Sequence, residues 1–176
     1  NTSTSLYPWT VKPITNARVG VVAGACLGDP DVDAVTRIAT HPEVHGVSEL
    51  LRVGLVVDPK TWTIFNSQTT AFLRELAPAM FMLPGVGRFD DIYASLICQR
   101  VMRERNLHVH HGKPFVWQSR NPHNLLTDLR AEINGMDNVL TFARALHTAT
   151  LVAYPVINQL RVLWLSTGGI FPSMTY

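Results

Sequence analysis

Three polar segments hold most of the side chains able to do chemistry in this 176-residue chain. The first, Gly28-Asp29-Pro30-Asp31-Val32-Asp33, sets carboxylates at alternate positions. Such acids cap a helix and complement its dipole, or else contact a substrate or a metal shell, as Asp31 and Asp33 would here. The second, Gly85-Val86-Gly87-Arg88-Phe89-Asp90-Asp91, joins a glycine loop that approaches a ligand closely to an arginine suited to phosphate or carboxylate. Its acidic pair can take a proton from a hydroxyl nucleophile or bind a cation. Capping justifies one aspartate there, and the dipole that stabilises both also lowers their basicity. The third, Trp117-Gln118-Ser119-Arg120-Asn121-Pro122-His123-Asn124, sets amides and a guanidinium beside an indole. That combination suits a sugar or nucleotide, because aromatic faces stack while the polar groups select hydroxyls and phosphates. His108, His110 and His111 have no fixed carboxylate partner, which favours a non-metal reading.

These segments fall at junctions between predicted strands and helices, where open α/β sheets place their ligand sites. Ala17 to Leu27 is β-branched and almost wholly apolar, which predicts a strand buried on both faces. Asp29 is then expected to cap a helix with Pro30 at its first position, ending near His41-Pro42. Val53–Val57 and Thr61–Phe65 flank the turn residues Asp58-Pro59-Lys60 and predict a hairpin or edge pair. Phe72, Leu76 and Met80 stand four apart and predict a helix over Thr69–Leu83, bent or broken by Pro78. Ile92, Tyr93, Leu96, Ile97 and Val101 draw one apolar face on a helix over Asp90–Arg105. His108–Trp117 reads as a strand whose Pro114 places it at an edge or at a bulge. A helix follows with Leu125, Leu126 and Leu129 inward and Asp128, Arg130 and Glu132 outward. Gly135 interrupts it, and a further helical region runs over Met136–His147. Leu151–Leu165 reads as a buried helix or strand. The alternation of strands and helices argues for an α/β architecture.

Composition bounds the function. Fifteen Lys plus Arg against thirteen Asp plus Glu leave a net charge of +2, and 47% of residues are apolar. The near-neutral balance, with no basic run, offers no footprint for nucleic acid or an anionic membrane. A charged fraction of 16% is below the ~25% of ordinary soluble domains, a hint that some apolar surface meets another domain or subunit. Cys26 and Cys98 have neither zinc nor disulfide spacing and read as buried thiols. No apolar stretch reaches the ~20 residues of a membrane span. The start at Asn1-Thr2-Ser3 has no Met and no signal-peptide pattern. Cysteine usage fits a cytoplasmic protein, with a Golgi association as the alternative. The common motifs of hydrolase, P-loop, zincin and dinucleotide sites are missing.

Five segments in order carry a resemblance. They are Gly28-Asp29-Pro30-Asp31-Val32-Asp33-Ala34, Asn66-Ser67-Gln68, Glu75-Leu76-Ala77-Pro78-Ala79-Met80, Gly87-Arg88-Phe89-Asp90-Asp91-Ile92, and the run from Gly112 through Trp117-Gln118-Ser119-Arg120-Asn121 to Asn124. Over about Val19 to Glu132 the chain resembles the C-terminal part of the reversibly glycosylated polypeptides, the UDP-arabinopyranose mutase family. It is also similar to STELLO-type glycosyltransferases. The mutase pattern has a His and a Lys where Gln118 and Arg120 stand, while the STELLO-like pattern tolerates Gln-x-Arg-Asn, which tips the expectation toward transfer.

The resemblance implies an α/β fold, the C-terminal part of a glycosyltransferase A-type, Rossmann-like domain with a mixed sheet flanked by helices. The whole of residues 1–176 would be one acceptor-side unit, its donor half lying in a missing N-terminal half or a partner subunit. The implied substrate is a nucleotide-sugar donor, a UDP-sugar, used with an unknown acceptor. The implied cofactor is a divalent cation, Mn or Mg, with ligands mostly outside this chain. Asp90 and Asp91 become the candidate catalytic carboxylates. Gln118, Arg120 and Asn121 become donor-side lining, and Arg88 or Arg120 would neutralise the departing diphosphate. The expected activity is metal-assisted sugar transfer to a hydroxyl. The alternatives are a UDP-sugar mutase, that is a ring isomerase, and a non-catalytic interaction module of the same fold.

Overall fold

The computed structural model describes residues 16–83 and 85–151. The expectations for Leu151–Leu165 and for the Asn1-Thr2-Ser3 start lie outside these residues, apart from Leu151 itself. Four strands, β1 (Val19–Gly28), β2 (Leu55–Val57), β3 (Thr70–Phe72) and β4 (His108–Gln118), form a mixed sheet in the order β2-β4-β1-β3. Only the central pair β1 and β4 runs parallel; β3 on β1 and β2 on β4 are antiparallel. Helices α1 (Ala34–Thr40), α2 (Glu49–Val53), α3 (Asp90–Glu104) and α4 (Leu125–Thr148) flank it. The architecture is therefore mixed α/β and consistent with part of a Rossmann-like glycosyltransferase fold.

Strands β1 and β4 and helix α3 match their predicted spans to within about two residues, while the longest element, α4, and several short ones differ. Strand β1 is half-buried rather than covered on both faces: Val21 and Ala23 enter the core and Val22 is exposed. Pro114 lies in a central strand, not at an edge. It is tolerated at an irregularity, because Gly24 pairs with Gly112 but Cys26 pairs with Val116. Thr61–Phe65 forms no strand. The Thr63 N–H donates to Gln99 Oε1 at 2.9 Å, the Thr63 carbonyl accepts from Gln99 Nε2, and Thr63 Oγ1 meets His111 Nε2 at 2.9 Å. Side chains thus satisfy a backbone that a ladder would otherwise serve. Val53 ends helix α2 and is not in a strand.

The predicted helix over Thr69–Leu83 divides in two. Thr70–Phe72 pairs with Val21–Ala23 of β1. Arg74–Met80 then winds as a 3-10 helix with Pro78 inside it, since proline removes an N–H and crowds the preceding turn of an α-helix. Asp29 does not cap α1. Its N–H donates to the Gln118 carbonyl at 3.0 Å, pinning it to β4, and the cap falls to Asp33, whose carboxylate accepts from the Thr36 N–H at 2.9 Å.

Helix α3 has more than one apolar face: every residue from Tyr93 to Met102 is buried. Most of its buried polar groups find partners, the Arg100 Nε excepted among the described residues. Arg100 donates to Glu104 at 2.6 Å and to the Ala149 carbonyl at 2.7 Å. The core joins α3 to Val21, Leu76, Leu107, Val109, Phe142 and Leu146, with the Tyr93 and Phe142 rings 4.6 Å apart. Helix α4 is continuous through Gly135. Its register also differs from expectation, for Leu126 is exposed, whereas Glu132 is buried and Asp128 is largely so.

Candidate functional site

Strands β1 and β4 end side by side, Gly28 opposite Gln118, and the polar segments leave the sheet from these carboxyl ends. Gly28 has φ 78°, and a Cβ there would strike the Gln118 carbonyl and come within 2.9 Å of the Trp117 indole nitrogen. Glycine therefore permits the close approach that seats Trp117 over the strand end. The Trp117 ring is 62% exposed. Gln118 Oε1 accepts from the Cys26 thiol at 3.9 Å.

Beyond the strand ends two arginines hold the loops. Arg37 of α1 pairs with Asp29 and donates to the Pro30 carbonyl, and it is 9% exposed. Arg120 pairs with Asp31, whose other oxygen accepts from Asn66 Nδ2 at 3.3 Å. The Arg120 Nε is buried and has no hydrogen-bond partner among the described residues. A cleft of about 540 Å³ opens between the end of α1 and the loop before α4. Trp117, Gln118, Arg120 and Asn121 line it, facing Arg37 and His41.

Next to this cleft the acidic residues collect. Asp91 Oδ2 accepts from the Ser67 N–H at 3.0 Å and lies 3.4 Å from the Ser67 hydroxyl, and Asp90 Oδ1 accepts from the Asp91 N–H at 2.8 Å. The Asp91 carboxyl is a weaker acid than usual. Burial is the main cause and the negative charges of Asp31 and Asp90 add to it, against the opposing N–H bonds from Ser67 and Ile92. Four sequence segments thus meet: Asp31 with Arg120, Asn66 and Ser67 from the loop before β3, and Asp90 and Asp91 at the start of α3. Arg120 belongs both to this group and to the cleft wall.

Two predicted residues have structural partners instead. Asp33 caps α1; burial weakens its acidity, but the hydroxyl and N–H of Thr36 outweigh it and leave the carboxyl more acidic than usual. Arg88 meets Glu132 at 3.2 Å and Asp128 at 3.6 Å, so two carboxylates match its charge. Of the strand histidines, His108 Nδ1 lies 3.1 Å from the Val57 carbonyl, and burial, with His110 nearby, makes His111 harder to protonate; His110 Nδ1 is buried with no hydrogen-bond partner among the described residues. Cys98 is buried and its thiol pushed up to about 12.

Two residues of the site escape sequence reasoning. Arg37 reads as an ordinary surface helix arginine, and only its position in the turn after the Asp33 cap hints at the loop below. Glu132 accepts from the Ala34 N–H at 2.7 Å as well as from Arg88. It ties the start of α1 to the turn before Asp90, and its only sequence signal is its place on the core-facing row with Phe142 and Leu146.

Among the described residues no three His, Cys, Asp or Glu are arranged to hold a metal ion. The described residues therefore do not by themselves fit the divalent cation that the resemblance implies, whose ligands it puts mostly outside this chain. No helix among them is long and apolar enough to cross a membrane.

No family model matches the chain. UDP-arabinopyranose mutase 1 of Oryza sativa subsp. japonica and UDP-arabinopyranose mutase 3 of Arabidopsis thaliana are each 29% identical over 136 residues, 74% of this chain and 36% of theirs. Probable UDP-arabinopyranose mutase 1 of Solanum tuberosum is 26% identical over 148 residues, 79% of this chain and 39% of its own length. The chain thus spans little more than a third of the curated relatives it matches, and over about three quarters of its own length it is similar to UDP-arabinopyranose mutases.

Proposed function

We propose that this chain is part of an enzyme that acts on a UDP-sugar, and that its reaction is an intramolecular ring isomerisation of the sugar. The observation that carries the reading is the similarity to UDP-arabinopyranose mutases over about three quarters of the chain. The geometry supports it. A nucleotide sugar needs a flat apolar surface, donors for a diphosphate, and a group that exchanges protons with sugar hydroxyls. Trp117 supplies the first. Arg37 and Arg120, both on the cleft wall, supply the second.

Ring interconversion breaks the bond from the anomeric carbon to the diphosphate. A second sugar hydroxyl attacks that carbon and loses its proton, the original bond from the carbon to the ring oxygen then breaks as that oxygen takes up a proton, and the departed diphosphate oxygen re-forms its bond to the same carbon. No atom is gained or lost. Asp91, which burial makes a weaker acid than usual, is the group to receive and return that proton. Asp90 would hold the Asp91 backbone in place through its own hydrogen bond. Gln118 and Asn121 would orient hydroxyls from the cleft wall.

A second reading rests on the same carboxylate: a base beside an open cleft serves an external acceptor hydroxyl equally well, giving sugar transfer. The test is chromatography of the UDP-sugar after incubation with the full polypeptide. A new sugar-nucleotide isomer without added acceptor supports the mutase. Free UDP and a glycosylated product that appear only with acceptor would replace it with transfer. No conversion under either condition, with UDP bound or not, would leave the interaction module as the better reading.

A further inference from the structure

Helix α4 turns Glu132, Gly135, Phe142 and Leu146 toward the core. On its far side Leu126, Ile133 and Leu140 stand seven residues apart and are 59%, 45% and 68% exposed. A seven-residue apolar row keeps one line of a helix facing another helix, and a monomer gains nothing from placing it in water. Four residues after each member comes an exposed charged residue, Arg130, Asp137 and Arg144, alternating in sign along the helix. We propose that this face is an interface between two copies of this chain, which pair their α4 helices antiparallel about a two-fold axis at Ile133.

Charge complementarity selects this occupant and orientation. In an antiparallel pair centred on Ile133, Leu126 packs against Leu140 of the partner subunit. The charged flank of each helix then meets the same flank of the other, so Arg130 faces Asp137 of the partner subunit, and symmetry makes the contact twice. Parallel pairing would set the charges against Leu129, Met136 and Ala143 instead. With the axis at Ile133, residues 125–141 of the two helices overlap, about 25 Å of each. Such an interface falls below the ~1,200 Å² of stable specific complexes, hence a weak dimer that exchanges in the micromolar range. The proposal is independent of the reaction assigned above.

Analytical ultracentrifugation of the full polypeptide from about 1 to 200 μM tests it, with the expected result a reversible monomer–dimer equilibrium. Ile133→Glu should weaken association at least about tenfold. Arg130→Asp and Asp137→Arg should each weaken it several-fold, while the double swap Arg130→Asp/Asp137→Arg returns it close to the starting affinity, a recovery expected only if the two positions meet. Circular dichroism would check that each variant stays folded; if Ile133→Glu does not, the exposed charge swaps carry the test alone. A polypeptide that stays monomeric, including one whose own further residues cover the stripe, overturns the proposal. So does a dimer indifferent to Ile133→Glu in a folded variant, or a double swap that fails to recover.

Discussion

Asp91 and Asp33 both lie at helix beginnings, yet their acidities move in opposite directions. Thr36 gives Asp33 both a hydroxyl and an N–H, whereas Asp91 is more buried and shares its surroundings with Asp31 and Asp90. Stability follows from the sign. Because Asp91 is a weaker acid folded than unfolded, its protonated form favours the fold. That contribution is present below the unfolded value of about 3.9 and disappears as pH rises through the folded one. Asp91→Asn should therefore raise the melting temperature at pH 7 slightly, on the order of 1 °C after solvent screening is allowed for. The gain should vanish below the unfolded value, and calorimetry from about pH 3 to pH 8 reads it directly. The same variant should cut conversion of the UDP-sugar by about 100-fold, visible in initial rates, and unchanged rates would remove Asp91 from the mechanism. Residue types nominate Asp91 as half of an acidic pair after Arg88, and Arg120 as a guanidinium close to the Trp117 indole. The sequence could not separate Asp33 the cap from Asp31 the arginine partner, since both are aspartates in one turn and only the three-dimensional position of Arg120 divides their roles.

Helix α4 illustrates what happens at the scale of an element. Gly135 looks like an interruption when judged by helix propensity, where glycine costs about 1 kcal/mol against alanine. In place it is the point where the helix lets the Gly87–Phe89 turn approach, and an added Cβ would overlap the Phe89 side chain. Gly135→Ala should consequently destabilise by roughly 1–3 kcal/mol in spite of its better propensity, a sign that urea unfolding would reveal. A stabilised variant would show the contact to be loose. The spans of β1, α3 and β4 are legible because each is a long run bounded by turn or capping residues, although burial along α3 is continuous rather than periodic. The short ones are not. Thr61–Phe65 has strand composition but receives its hydrogen bonds from Gln99 and His111, residues distant in sequence. Thr70–Phe72 becomes a strand only because β1 offers it an edge.

For the whole molecule, the parallel pair of β1 and β4 gathers loops from four parts of the chain at one end of the sheet. The alternation of strands and helices foretold such a sheet but not its strand order, which depends on contacts between segments 50 to 90 residues apart. If the cleft takes a nucleotide, UDP at about 100 times its dissociation constant should stabilise the fold by about 2.7 kcal/mol. A thermal-shift titration of the full polypeptide would register that as a rise of several degrees, and a flat titration at millimolar UDP would argue against the cleft as the nucleotide site. The irregularity between β1 and β4 bears on how such a cleft can change. Two steps along β1, from Gly24 to Cys26, accompany four along β4, from Gly112 to Val116. The surplus is even, so the in-and-out alternation beyond it keeps its parity. Deleting one residue there would turn Trp117 and Gln118 to the opposite sides of the sheet. Deleting or adding a pair would instead slide them along the strand axis with their faces preserved. The depth of the cleft can in this way be tuned in two-residue increments without re-choosing which side chains look into it.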